Sequence, residues 1–168
     1  GKLLDRLPMA ESPECTEGRE GFYHPVTLSG DAASCRLQVI IRDFDTEVVE
    51  ARGRRLEAMC TALMAEEPRL VVDVEIVEQY RNMYDVLSGL PETAERLRAA
   101  VEAAGITPVV RPVRGGTDGS RLTALGMPTP NVFSGGVNYH GPTEWISTRA
   151  LAQSACVILN LVQLHGEG

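Results

Sequence analysis

PVRGGTDGSRLTALGMPTPNVFSGGVNYHGPTEWIS, residues 112–147, is the stretch on which the fold turns. It begins at the end of an extended apolar run, TPVVRPV (107–113), crosses the glycine-rich loop RGGTDGS (114–120), and continues as a short helical pattern around RLTALG (121–126). PNVF (130–133) reads as a further strand. A second glycine-rich loop then leads into a last amphipathic run from about Ser147 to Leu164. Strands alternating with helices through short loops specify an α/β sheet. In such sheets ligands bind in the loops beyond the carboxyl ends of the strands, and both glycine-rich loops occupy that kind of position.

Upstream, Leu97, Ala100, Val101 and Ala104 share one face of a helix over 92–104, with Gly105 as its stop. Residues 22–80 spell strand, strand, helix, strand. FYHPVTLSGD (22–31) and SCRLQVIIRDFD (34–45) are expected to pair across a turn at Gly30 and Asp31. In the second, Cys35, Leu37, Val39 and Ile41 alternate with Arg36, Gln38, Ile40 and Arg42. Asp45 or Thr46 caps the helix that follows, whose Val49, Leu56, Met59, Cys60 and Leu63 form a single buried stripe, and Pro68 helps to end it. LVVDVEIVEQY (70–80) is expected to be a strand with Val72, Val74 and Ile76 on one face and Asp73 and Glu75 on the other. This order is the later part of a split β-α-β-β-α-β unit whose first strand and most of whose first helix are absent. KLLDRL (2–7) reads as the end of a helix stopped by Pro8, and the polar MAESPECTEGREG (9–21) as a loop.

Of the 168 residues 43% are hydrophobic and 23% charged, which argues against disorder. No apolar run approaches the roughly 20 residues that span a bilayer, and no secretory leader opens the chain, so a cytoplasmic protein is expected. A net charge of -7, with arginines scattered among acidic neighbours, disfavours nucleic acid. Cys15, Cys35, Cys60 and Cys156 contain no C-x-x-C pair, and Cys60 and Cys156 fall within apolar helical patterns as buried, reduced thiols.

Few residues are suited to chemistry. RGGTDGS sets two glycines, a hydroxyl, a carboxylate and flanking arginines where backbone can approach an anion, and it equally suits a tight turn capped by Thr117 or Asp118. It is neither a G-x-x-x-x-G-K nor a G-x-G-x-x-G loop, which disfavours nucleotides. His140 stands on a loop among small and polar residues, where imidazole either ligates a metal or takes a structural or surface role. Glu144 either orients that imidazole or caps the last helix. Arg42 precedes Asp43 and Asp45, and either pairs with those carboxylates or presents its fork to a substrate carboxylate.

Taken together, residues 112–147, TEGREGFYH (16–24) and IIRDFD (40–45) resemble, in the right order, motifs of the peptidase T family of dinuclear zinc exopeptidases. The resemblance covers almost the whole chain. It implies a remnant of a ferredoxin-like lid or dimerisation domain over 1–88, followed by the C-terminal part of an α/β catalytic domain over 89–168. It implies release of the N-terminal residue from tripeptides with two zinc ions, His140 being a metal ligand. Arg42 and Arg114 would hold the peptide's C-terminal carboxylate, and Gly116 and Thr117 would line the same cleft. A homodimer through the lid domain is expected, with no nucleic acid and no membrane partner. The family's other metal ligands and its catalytic glutamate have no counterpart here, since there is no H-x-D motif and Glu66 and Glu67 merely end a helix. No catalytic residue is therefore assigned in this chain, which is expected to be inactive alone. Alternatives are a noncatalytic dimerisation or peptide-binding module, and a related N-acyl amino acid hydrolase.

Overall fold

The computed structural model describes residues 1–166 of a mixed α/β chain. It divides into two compact units, residues 1–82 with 112–116, and 83–111 with the segment from Thr117 onward.

The first unit contains helix α1 (Lys2–Arg6), a single 3-10 turn (Met9–Glu11), strands β1 (Phe22–Gly30) and β2 (Cys35–Arg42), and helix α2 (Thr46–Glu66). β1 and β2 pair antiparallel from Phe22↔Arg42 to Gly30↔Cys35, with a register shift between Pro25 and Thr27. Proline donates no ladder bond, so a bulge beside it is the expected accommodation. The hairpin is closed by residues 31–34, not by a turn at Gly30 and Asp31. Asp31 Oδ1 accepts the N–H groups of Ala33 and Ser34, both at 2.8 Å, and these bonds hold its carboxyl below the ordinary value. Helix α2 is capped by Asp45, which accepts from the N–H of Glu47 at 2.8 Å and of Val48 at 3.4 Å. Its Cys60 and Leu63 are buried and Val49, Leu56 and Met59 half-buried, as the periodicity requires, and Gly53 completes the stripe. Gly53 is small because Ile76 Cδ1 lies 3.1 Å from where its Cβ would stand. Lys2–Glu67 and Arg6–Glu66 pairs tie α1 to the end of α2.

Residues 70–80 depart from expectation. They are extended, with Val72 and Val74 half-buried and Asp73 and Glu75 exposed, yet they join no ladder. Alternating side chains favour an extended backbone, but a strand also needs a partner edge, and among the described residues β1 and β2 pair only with each other.

The second unit contains α3 (Tyr84–Leu87), α4 (Pro91–Ala103), α5 (Asp118–Ala124), β3 (Gly136–Val137), β4 (Trp145–Ile146) and α6 (Thr148–Gly166). Pro91 begins α4, where its missing N–H costs nothing, and Gly105 at φ +74° ends it. α4 lies on α6, where Ala100, Val101 and Val157 are buried with Leu97, Ala104, Ile106 and Leu161 packed around them. Asn160 Nδ2 donates to the Ala100 carbonyl at 3.1 Å across the same contact. The strands expected at 107–113 and 130–133 are not formed, again for want of a ladder partner among the described residues. A short hairpin appears instead inside the second glycine-rich loop, with Gly136↔Ile146 and Val137↔Trp145 paired. Cys156 is exposed, contrary to expectation, because Val157 takes the face toward α4 and its neighbour points about 100° away.

Candidate functional site

Arg42 ends β2, and its surroundings decide between the two roles open to it. Asp43 is taken by Arg52, whose Nε donates to Oδ2 at 3.2 Å, while Asp43 Oδ1 accepts the Phe44 N–H at 2.8 Å. Asp45 is taken by the start of α2. Arg42 therefore has no ion pair among the described residues. Its guanidinium stacks 4.7 Å from the centroid of the Tyr80 ring, and Nη2 donates to Gln79 Oε1 at 2.9 Å. The expected local pairing with Asp43 and Asp45 is not made. Both carboxylates have better-placed backbone or guanidinium donors.

Gly116 adjoins that stack. A Cβ there would stand 2.1 Å from Cε1 of Tyr80, so only glycine lets the ring lie flat against the loop. Tyr80 Oη is buried and has no hydrogen-bond partner. Arg114, two residues earlier, stacks 4.7 Å from the Phe22 ring centroid. It donates to the Thr16 carbonyl at 2.7 Å, to the Thr16 hydroxyl, and to the Glu20 carbonyl at 3.3 Å. No carboxylate among the described residues neutralises it, and its Nε is buried without a partner. Arg114 thus clamps the 9–21 loop with most of its fork.

The same loop is anchored a second time. Glu11 pairs with Arg52 and Arg55, and Arg52 lies 5.2 Å from the Tyr23 ring centroid. Tyr23 is 1% exposed and donates to the Arg52 carbonyl at 3.2 Å, and its burial pushes the phenol pKa up. Burial opposes ionisation of Glu11, but the hydrogen bonds from Arg52 and Arg55 outweigh it and hold the carboxyl below its ordinary value. Burial likewise opposes the Arg52 charge and is outweighed by Glu11 and Asp43. Gly21 is required because its Cβ would stand 2.0 Å from Asp43 Oδ2.

Thr117 and His140 belong to the other unit. Thr117 holds the N-cap position of α5, which starts inside RGGTDGS, but neither its hydroxyl nor the Asp118 carboxylate caps the helix. Thr117 Oγ1 is buried and unpartnered. Gly119 is buried in the first turn, where a Cβ would meet the Thr129 carbonyl at 2.5 Å. His140 lies in the loop between β3 and β4, exposed and left-handed at φ +65°, a conformation that histidine and its neighbour Asn138 (φ +58°) tolerate better than most residues. Glu144 neither orients the imidazole nor caps α6. Its Oε2 accepts the His140 backbone N–H at 2.9 Å, and Ser147 Oγ serves the start of α6 by accepting from Ala150 at 3.1 Å. Among the described residues no three His, Cys, Asp or Glu side chains converge to hold an ion. A zinc centre needs about three protein ligands. The residues here do not fit a whole zinc site, and the His140 side chain has no convergent ligand partner among the described residues.

Arg42, Arg114 and Gly116 are thus brought into one unit with Tyr80, Gln79 and Phe22, which the sequence patterns did not single out. Tyr80 lies 38 positions from Arg42. Nothing in local periodicity marks such a pair, and the Gly-Gly step of RGGTDGS is the one local sign of a close backbone approach there.

A family model, Peptidase family M20/M25/M40, matches residues 13–164. Peptidase T of Geobacillus thermodenitrificans (strain NG80-2) is 40% identical over 163 residues, covering 97% of this chain and 40% of that protein. Peptidase T of Shouchella clausii (strain KSM-K16) is 42% identical over 159 residues, covering 95% and 39%. The crystal structure of aminopeptidase PepT from Bacillus cereus ATCC 10987 matches with a TM-score of 0.61 at 18% identity, over 96% of this chain and 43% of that one. The chain spans about two fifths of the length of the curated relatives it matches. With the family match running through nearly the whole length, the chain belongs to Peptidase family M20/M25/M40.

Proposed function

We propose that this chain is the part of a zinc-dependent aminopeptidase that grips the C-terminal carboxylate of a tripeptide, the intact enzyme releasing the N-terminal residue. One observation carries the proposal. Arg42 ends a strand with its guanidinium stacked on Tyr80 and no carboxylate among the described residues to neutralise it, although two acidic residues follow within three positions. A planar fork held by an aromatic ring is suited to a bidentate carboxylate. Arg114 adds positive charge, and Gly116 keeps the loop close to the Tyr80 ring. The names of the Peptidase T relatives support the substrate class.

In this proposal residues 1–88 are a partial lid and dimerisation domain, 89–168 the end of a catalytic domain, and the intact protein a cytoplasmic homodimer. The strand edges of β1 and β2 that have no ladder partner among the described residues suit a dimer contact. His140 supplies one ligand to a pair of zinc ions, and no hydrolytic step is assigned to this chain. A second possibility, a noncatalytic peptide-binding module, is favoured by the presence of Arg42, Tyr80, Gly116 and Arg114 within one unit that contains no metal candidate.

The test is calorimetric titration of the 168-residue chain with trialanine and with trialanine amide. Trialanine is expected to bind about tenfold more tightly, as one charge-assisted bidentate pair would give. In Arg42→Ala that preference should vanish. Equal losses for the acid and the amide would overturn the assignment.

A further inference from the structure

We propose that Arg19 is a specificity-determining residue of this site, reading a second negative charge on the ligand, so that the preferred peptide ends in Asp or Glu. The inference rests on the assignment of the peptide's C-terminal carboxylate to Arg42.

Three guanidinium groups without a carboxylate partner among the described residues gather around the open end of the β1–β2 hairpin, each on its own aromatic ring. Phe22 and Arg42 are paired in register there. Arg114 stacks on Phe22, Arg42 on Tyr80, and Arg19 on Phe44, the last at 5.2 Å from the ring centroid. Stacking occupies the face of a guanidinium and leaves its N–H edges free to donate in plane. Arg114 spends those edges on Thr16 and Glu20. Arg42 spends part of its own on Gln79 and on the Ile41 carbonyl, the latter at 3.3 Å. Arg19 makes no hydrogen bond and no ion pair among the described residues. In an acidic chain that is a conspicuous omission, and three of the neighbouring acids are engaged elsewhere. Glu20 Oε2 accepts the Glu17 N–H at 2.9 Å, Asp43 is held by Arg52, and Asp45 caps α2.

Both ends of the Arg19 arrangement are fixed. On the backbone side Gly18 takes φ +56°, the Glu20 N–H donates to the Glu17 carbonyl at 2.9 Å, and Arg114 holds the Glu20 carbonyl. Arg19 therefore sits one residue from the Arg114 anchor. On the ring side Phe44 donates its N–H to Asp43 Oδ1 and accepts at its carbonyl from Asn82 Nδ2 at 2.9 Å, two residues beyond Arg42. A peptide with a single terminal carboxylate uses the Arg42 fork and leaves that of Arg19 unpaired. An acidic side chain on the last residue matches the second fork.

The test is titration of the 168-residue chain with trialanine, trialanine amide, Ala-Ala-Asp and Ala-Ala-Asn. Arg19 is exposed, so its pair has surface strength, and Ala-Ala-Asp should bind about two- to fivefold more tightly than Ala-Ala-Asn. In Arg19→Gln the ratio should fall to about one, and Arg19→Lys should keep part of it. Arg36→Gln, the same change of net charge opposite Ser29 near the closed end of the hairpin, should leave the ratio intact. A ratio of one in the unmodified chain, its survival in Arg19→Gln, or an equal loss in Arg36→Gln would each overturn the role of Arg19. Weak amide binding without an Asp preference would overturn Arg19 alone. Equal binding of trialanine and its amide would overturn the Arg42 assignment and this inference with it.

Discussion

At the scale of single residues the first unit is organised by which carboxylate each arginine obtains. Arg52 obtains two, Glu11 and Asp43, and Arg42 obtains none among the described residues. The Glu11 arrangement has a pH signature. Its folded carboxyl titrates below the ordinary value of 4.5, so in the window below 4.5 the unfolded chain binds the extra proton. Stability from this pair is fully present above that value and is lost as pH falls through the folded pKa. The pair is partly exposed, so about 1 kcal/mol or less is at stake. Glu11→Gln should therefore be less stable than the unmodified chain at pH 7, by a deficit that narrows as pH falls below 4.5, read from urea denaturation at pH 7 and at pH 3 followed by circular dichroism. A difference that stays constant between the two pH values would show that the Glu11 charge contributes nothing.

At the scale of elements, α1, α2, α4, α5, α6 and the β1–β2 hairpin were legible in advance because their causes are local, and α3 and the β3–β4 hairpin were not. The α2 stripe and the Gly105 stop come from periodicity and capping chemistry spread over a few turns. The cap of α2 was the open point, with Asp45 and Thr46 both candidates, and the structure assigns it to Asp45. Asp45→Ala should destabilise the chain by about 1 kcal/mol, whereas Thr46→Ala should stay within about half of that. Equal effects in denaturant titrations would remove the cap from Asp45. The extended runs 70–80, 107–113 and 130–133 were only half legible. Their alternation or apolar character prescribes an extended backbone but cannot supply the second strand on which a ladder depends.

At the scale of the whole molecule, α6 is apolar on more than the face that meets α4, with Leu151, Leu159 and Val162 each more than half exposed. The chain also spans only about two fifths of its curated relatives, and His140 is a single imidazole with no convergent partners among the described residues. Zinc titration should accordingly reveal at most one weak site, abolished in His140→Ala, and no tripeptide turnover. Two tightly bound zinc ions with hydrolysis of trialanine would overturn the assignment of the chemistry to the intact enzyme.

By itself the sequence determined helices α1, α2, α4, α5 and α6, the β1–β2 hairpin, the glycine loops and the family likeness, since each rests on residues close together in the chain or on motif order, whereas α3 carried no such local signal. Only the tertiary structure decided that Arg42 has no acidic partner among the described residues, that Tyr80 meets both Arg42 and Gly116, that Arg114 clamps the 9–21 loop, and that Glu144 serves a backbone N–H and not an imidazole. The physical reason is competition. An arginine or a carboxylate can choose among several donors and acceptors brought within reach by folding, and local spacing names the candidates without ranking groups that lie dozens of residues away.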